Sequence, residues 1–216
     1  MKSFLTAIFC SVRCILYPGT KIVIAAGNLK QAIEVVGKIQ DMMGSSPNLT
    51  REIDDIKTSP NNAGVYWKNG STIRVAASND GARGLRANLI IVDEFRIVPL
   101  EIINKVIRKF MSASRTPGYI NKPEYAHLKE RNKEIYLSSA WLKHHWSWDK
   151  VKAYFESMTD GKSYFLCSLP YQLPIREGLL MREQVEDEMS EADFNPIALN
   201  LVQLKLGELY CLEVCN

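Results

Sequence analysis

The chain has 216 residues, 46% of them apolar and 24% charged, the composition of an ordinary soluble globular protein with room for one substantial core. A net charge of +3 is too small to establish a polyanion as partner. Five cysteines, an odd number without framework spacing, argue against a disulfide scaffold and for reduced thiols in a cytoplasmic setting.

The run Ser3-Phe4-Leu5-Thr6-Ala7-Ile8-Phe9 behind Lys2 imitates a short secretory signal. Arg13 closes it early, no small-x-small cleavage site follows, and Tyr17-Pro18-Gly19-Thr20 leads straight into an apolar stretch. The expectation is a buried helix over about Ser3–Ile15, a turn, and a core strand Lys21–Ala26 in a protein that is not secreted. No other apolar run approaches transmembrane length.

Asn28 and Gln31 have the spacing of a capping box. The helix behind them carries Ile33, Val36, Ile39, Met42 and Met43 and ends at Gly44-Ser45-Ser46-Pro47. The polar stretch Asn48–Ala63 reads as loop. Val65–Trp67 and Thr72–Ala76 flank Asn69-Gly70, a dipeptide suited to a tight hairpin, and Asp80-Gly81 marks a further turn. Leu89-Ile90-Ile91-Val92 is apolar throughout, as in a central strand buried on both faces. A helix is predicted over Leu100–Met111, a strand over Glu134–Ser138, a helix over Asp149–Met158, an extended stretch over Ser163–Leu169 and a helix over Leu179–Met189. Helix and strand alternate, which predicts an α/β fold with a largely parallel sheet.

The strongest chemical signal is Leu89-Ile90-Ile91-Val92-Asp93-Glu94, a Walker B pattern. Such a strand holds Asp93 at the carboxyl edge of the sheet, where α/β proteins place ligands. Asp93 is a candidate Mg²⁺ ligand through the ion's water shell. Glu94 is a candidate base that polarises the water attacking a γ-phosphate. The same string also describes a buried strand tipped by solvated acids. Between Lys105 and Lys133 there are eight Lys or Arg and two acids, Glu124 and Glu130. That stretch is a candidate phosphate-contacting surface or, equally, a solvated face.

Other features carry less. Cys10 with Cys14, and Cys211 with Cys215, have helical spacing, but no CxxC or histidine partner supports a zinc site. His144-His145-Trp146-Ser147-Trp148 lacks an acidic partner and reads as a packed or surface aromatic cluster. Gly161-Lys162-Ser163 imitates the end of a phosphate loop but precedes an extended stretch, whereas a phosphate loop opens a helix.

Upstream of the acid-tipped strand lies Gly81-Ala82-Arg83-Gly84-Leu85-Arg86-Ala87-Asn88, and downstream lies Tyr136-Leu137-Ser138-Ser139-Ala140. The order of strand, Arg-Gly loop, acid-tipped strand, helix and Ser-tipped strand resembles the phage terminase large subunit family, from about Lys2 to Asn195. The resemblance implies a P-loop NTPase of the additional-strand class, a three-layer sandwich with a mainly parallel central sheet. It implies an ATPase that drives viral double-stranded DNA into a procapsid. ATP and Mg²⁺ are the implied cofactors. A portal protein, a small terminase subunit and sibling copies in a ring are the implied partners, in the host cytoplasm and without a membrane.

Residue by residue, Arg83 matches the family's arginine finger, and Arg83 and Arg86 equally suit plain surface arginines. Ser138, Ser139 and Ala140 match its coupling motif. Lys2 matches the phosphate-contacting lysine and Ser3 the Mg²⁺-coordinating hydroxyl. The sequence departs from the pattern at both ends. Met1 stands where the last glycine of the loop belongs, so the first strand and glycine loop are missing. The tail 198–216 is atypical, as an interrupted or frame-shifted reading frame would leave it, and the metal-binding nuclease domain is absent. Residues 1–197 are thus expected to form an incomplete motor domain that does not turn over ATP as it stands. A helicase-like P-loop motor and a non-catalytic prophage remnant are the alternatives.

Overall fold

The computed structural model describes residues 2–60, 62–79, 82, 84–139, 144–167, 172–178 and 180–190. The turn Asp80-Gly81, Arg83, Ala140, Cys211, Cys215 and the tail lie outside them. The chain divides into two units, Met1–Ile135 and Tyr136–Cys215.

In the first unit, helix α1 (Lys2–Leu16) leads through a turn at Gly19 (φ +75°) into strand β1 (Lys21–Ala26). Helix α2 (Leu29–Ser45), helix α3 (Pro47–Glu52) and strands β2 (Ile53–Lys57), β3 (Gly64–Trp67), β4 (Thr72–Ala77) and β5 (Leu89–Asp93) follow. Helix α4 (Leu100–Lys105) and several 3-10 turns then lead to strand β6 (Lys133–Tyr136). The strands form one sheet in the order β2-β3-β4-β1-β5-β6. β1 is parallel to both β4 and β5, while β3 is antiparallel to β2 and to β4. This is the mainly parallel α/β sheet expected. Every residue of β5, and every residue of β1 after Lys21, is buried. Successive strand residues face opposite sides, so both faces of the central strands are covered.

α1 buries small residues, namely Thr6, Ala7, Cys10, Ser11 and Cys14, which lets its axis lie close to its neighbours. Burial pushes the thiols of Cys10 and Cys14 far above their ordinary value, so both stay protonated. Among the described residues no group of three or more His, Cys, Asp or Glu side chains is placed to hold a metal ion. The outer face of α1 exposes Phe4, Leu5, Ile8, Val12 and Leu16. No described helix is long and apolar enough to cross a membrane.

Several sequence expectations need correction. The polar stretch Asn48–Ala63 is not all loop. Ser46 caps α3 through Leu49 N, and Ile53–Lys57 pairs with β3 as an edge strand. Its exposed Asp54 and Asp55 hid the strand, because an edge strand need bury little. The capping box at α2 does not close. Asn28 Oδ1 accepts from Lys30 N at 3.0 Å, and Gln31 Oε1 is buried without a hydrogen-bond partner. The helix predicted over Leu100–Met111 breaks at Val106 (φ −119°, ψ −64°), and Ile107–Phe110 continues as 3-10. β6 ends at Tyr136, two residues earlier than predicted.

The basic stretch also resolves into two kinds of cation. Arg115 is buried, and its Nε donates to Glu130 Oε1 at 2.6 Å. Arg13 of α1 donates to Glu130 Oε2 at 2.5 Å, and Lys133 Nζ lies 3.6 Å from the same oxygen. Arg115 Nη1 also donates to Tyr119 Oη at 2.9 Å. Both guanidiniums address the Tyr17 ring, at 3.9 Å for Arg13 and 5.4 Å for Arg115. Arg108 pairs with the buried Glu134 at 2.9 Å. Arg13, Arg115 and Lys133 thus tie the segment leading to β6 to the C-terminal end of α1 through Glu130, while Arg108 is tied to β6 itself.

In the second unit, helix α5 (Trp146–Thr159) is capped by His145, whose Nδ1 accepts from Ser147 N at 3.3 Å. The histidine cluster is therefore local structure, as expected. Tyr154 packs at 6.2 Å from Tyr136 and 5.3 Å from Tyr164, with Lys150 Nζ 4.3 Å from the Tyr136 ring centre. Residues 163–167 hold no strand beyond a bridge at Cys167, and no helix follows Gly161-Lys162-Ser163 at once. Short helices α6 (Gln172–Arg176) and α7 (Arg182–Ser190) complete the described part.

Candidate functional site

Because β1, β4 and β5 run the same way, their carboxyl ends share one edge of the sheet, and the first residues of α1 reach it. Asp93 closes β5 and is 7% exposed, with Oδ1 accepting from Glu94 N at 2.9 Å. The chain then turns through Glu94 in the left-handed region (φ 46°, ψ 46°), the one described non-glycine residue with positive φ. Such a conformation costs of order 1 kcal/mol or more and persists where the surroundings enforce it. A 3-10 turn, Phe95–Ile97, follows, with Phe95 buried as its anchor.

The turn brings Glu94 to Lys2, and the two form an ion pair. The other oxygen, Oε2, lies 3.4 Å from Arg96 Nε. Glu94 thus sits between two cations, with its side chain 16% exposed. Lys2 also faces Asp93, as does Glu34 of α2. Burial raises the Asp93 carboxyl above the ordinary carboxylate value; Lys2 works against this, while Glu94 and Glu34 add to it. Ser3 is half-buried in the first turn of α1.

The sequence reading thus places Lys2, Asp93 and Glu94 together, which the residue spacing of 91–92 along the chain could not itself guarantee. Arg83 lies outside the described residues. Ser138, 5% exposed, and Ser139 belong to the second unit. Arg96 and Glu34 went unrecognised. Arg96 follows the acids on a turn and breaks no apolar pattern, so only the left-handed turn at Glu94 reveals its partner. Glu34 reads as an ordinary polar position of an amphipathic helix.

The donor set suits Mg²⁺ arriving with phosphate. That ion favours one or two carboxylates, keeps several waters and takes its remaining oxygens from substrate. A buried carboxyl with a raised pKa and a neighbouring carboxylate is a place where a divalent cation offsets the cost of charge. Asp93 is the described carboxyl here that could hold it.

The raised Asp93 value has a consequence for stability. The folded carboxyl holds its proton more tightly than the unfolded one. Its contribution is therefore most favourable at acid pH and falls as pH rises through the folded value. Asp93→Asn keeps the acceptor for Glu94 N and removes the charge. It is expected to raise the thermal midpoint in metal-free buffer at about pH 8, with the gain shrinking towards about pH 4. A midpoint unchanged or lowered across that range in thermal melts contradicts the burial argument.

A buried, mainly parallel sheet whose acid-tipped strand faces a lysine at the start of a helix is the arrangement of P-loop nucleoside triphosphatase folds. The sequence pattern described as terminase large subunit, T4likevirus-type, N-terminal, matches residues 2–162, and the chain belongs to that family. The structure is similar to the large terminase of bacteriophage HK97, with a TM-score of 0.54 and 14% identity over 95% of this chain and 40% of that one. It is also similar to the large terminase of a thermophilic bacteriophage, with a TM-score of 0.50 and 11% identity over 89% of this chain and 42% of that one. The ATPase domain of the Thermus phage P74-26 large terminase overlaps with a TM-score of 0.44 and 14% identity over 72% and 77%. At such identities the likeness is one of fold. The chain spans less than half the length of the first two of these proteins. No curated protein sequence matches it.

Proposed function

We propose that this chain carries the ATP-hydrolysing machinery of a viral DNA-packaging motor. The observation that supports the reading best is the meeting of Lys2, Asp93 and Glu94 at the carboxyl edge of the sheet. Membership of the terminase family supports the packaging role over the helicase-like alternative. Lys2 is tied to Glu94 here and is the group to turn to the phosphates when nucleotide binds. Glu94, released from Lys2 and still beside Arg96, orients the attacking water and accepts its proton. Asp93 and Ser3 would hold Mg²⁺, which would offset the negative charge of the phosphates. Arg83 is proposed as a finger acting on the nucleotide of a neighbouring copy, and Ser138 and Ser139 as sensors of the γ-phosphate. Double-stranded DNA, a portal, a small subunit and a ring of copies are the partners of this reading.

The phosphate loop supplies successive backbone N–H groups that Lys2 and Ser3 alone cannot replace. A chain extended ahead of Lys2 by a strand and glycine-rich loop is expected to hydrolyse ATP in a Mg²⁺-dependent way that Asp93→Ala abolishes. Robust turnover by the extended chain that survives Asp93→Ala would remove Asp93 from its role. No nucleotide binding by the extended chain at all would favour a non-catalytic remnant.

A further inference from the structure

The opposite edge of the sheet is basic. β1 starts at Lys21 and β5 at Leu89, and Ala87 N donates to Phe110 O at 2.7 Å while Lys133 N donates to Asn88 O at 3.0 Å. The connection from Phe110 to Lys133 therefore runs along the amino edge, together with the starts of β1 and β5. Topology gathers Lys21, Arg86, Lys109, Lys122, Lys129 and Arg131 there, all exposed. None of the six has an ion-pair partner among the described residues. The acids of the connection are Glu124 and Glu130, and Glu130 is already claimed by Arg13 and Arg115.

The connection is also braced. Two 3-10 turns, Gly118–Asn121 and Pro123–Leu128, form an exposed arm with Ile120 buried beneath it. Tyr119 and Tyr125 pack edge to face at 5.8 Å across the two turns. The Arg115–Glu130 pair closes the base of the arm, so its cations are presented on a fixed frame. At about 2.0 Å per 3-10 residue, Lys122 and Lys129 stand roughly 14 Å apart. Because the backbone winds as well as rising about 3.4 Å per step, that spacing is of the order of two steps along one strand of a duplex.

We propose that this amino edge, with the arm Gly118–Leu128, is a backbone-contacting surface for double-stranded DNA, separate from the nucleotide site. The separation follows from α1. Lys2 lies at the nucleotide edge and Arg13 at the base of the arm, about 16 Å further along the helix axis. The choice of duplex DNA as the polyanion rests on the packaging reading; the basic edge itself does not.

The test is fluorescence anisotropy of a short labelled mixed-sequence duplex with the full chain over a salt series. Replacing Lys109, Lys122, Lys129 and Arg131 together by Gln is expected to weaken binding at least about tenfold near 0.1 M salt. The slope of log affinity against log salt is expected to shallow by about 0.9 for each cation that touches a phosphate. Lys57→Gln, an exposed cation on β2 at the far end of the strand order, is expected to bind the duplex as the parent does. Should the fourfold variant fold poorly, Lys122→Gln and Lys129→Gln singly are each expected to shallow the slope by about 0.9. Four results overturn the proposal: no duplex binding by the parent at low salt; unchanged affinity and slope in the variants; an equal loss of binding in Lys57→Gln; or tighter binding of single-stranded RNA than of duplex. Failure of ATP turnover in the extended chain sinks the motor reading and leaves this surface standing.

Discussion

Glu94→Gln in a chain carrying the glycine-rich loop is expected to cut ATP turnover by about a hundred- to ten-thousand-fold, the range for losing a positioned general base. Nucleotide affinity is expected to hold or rise. Glutamine removes the charge that pairs with Lys2, so Lys2 reaches phosphate without first breaking an ion pair. Single-turnover hydrolysis and binding of a fluorescent nucleotide separate the two effects. Turnover within a factor of about two of the parent takes Glu94 out of the chemistry. A loss of binding as large as the loss of turnover assigns it to holding the fold of the site. Arg83→Ala, by contrast, is expected to cost turnover only where copies assemble, because a finger acts across the interface.

The largest stability effect is expected from Glu130→Ala. Arg115 has a side chain only 2% exposed, and Arg13 one that is 12% exposed. Glu130 is the carboxylate between them, and both guanidiniums share the Tyr17 ring. Removing one partner of a buried pair typically costs about 3–5 kcal/mol, because the remaining charge stays buried. Glu130 keeps 19% of its side chain exposed, which places the expectation at the low end, about 3 kcal/mol, or roughly 6–12 °C in thermal midpoint for a chain of this length. Glu101→Ala, which breaks an exposed pair with Lys105, is the matched control. It is expected to stay within about 1 kcal/mol. Equal effects from the two substitutions refute the bracing role.

The same cluster sets an acid limit. Burial raises the Glu130 carboxyl, but Arg13 and Arg115 outweigh it and hold it below the ordinary value. Its contribution is therefore complete above the unfolded glutamate value, about 4.3, and is lost as pH falls through the lower folded one. The parent and Glu130→Ala are expected to converge in stability at strongly acid pH.

Local pattern carried much of this fold. Lys21–Ala26 and Leu89–Val92 are apolar at every position but the first lysine, and a strand buried on both faces can look no other way. Asn69-Gly70 specified its hairpin, since Gly70 takes φ +80° without strain. The acids after Val92 marked the site, because a rigid strand end is where a carboxylate is held still. Where burial is partial, the pattern gave out. Ile53–Lys57 needs only one buried face-pair at a sheet edge, so its aspartates hid it. Val106 carries ordinary helical periodicity, yet packing turned the helix into a 3-10 segment there.

Tertiary structure alone decided which charges work together. Lys2 and Glu94 are 92 residues apart, and only the parallel order of β4, β1 and β5 brings helix start and strand end to one edge. Among eight cations between Lys105 and Lys133, sequence treats Arg115 and Lys122 alike. The fold buries the first against Glu130 and leaves the second exposed, because Arg115 meets the end of α1 while Lys122 stands on the arm. Hydrophobic periodicity is read from neighbours in sequence, so it reports which face of an element is covered. Electrostatic partnership depends on distances between elements, which the chain settles only by folding.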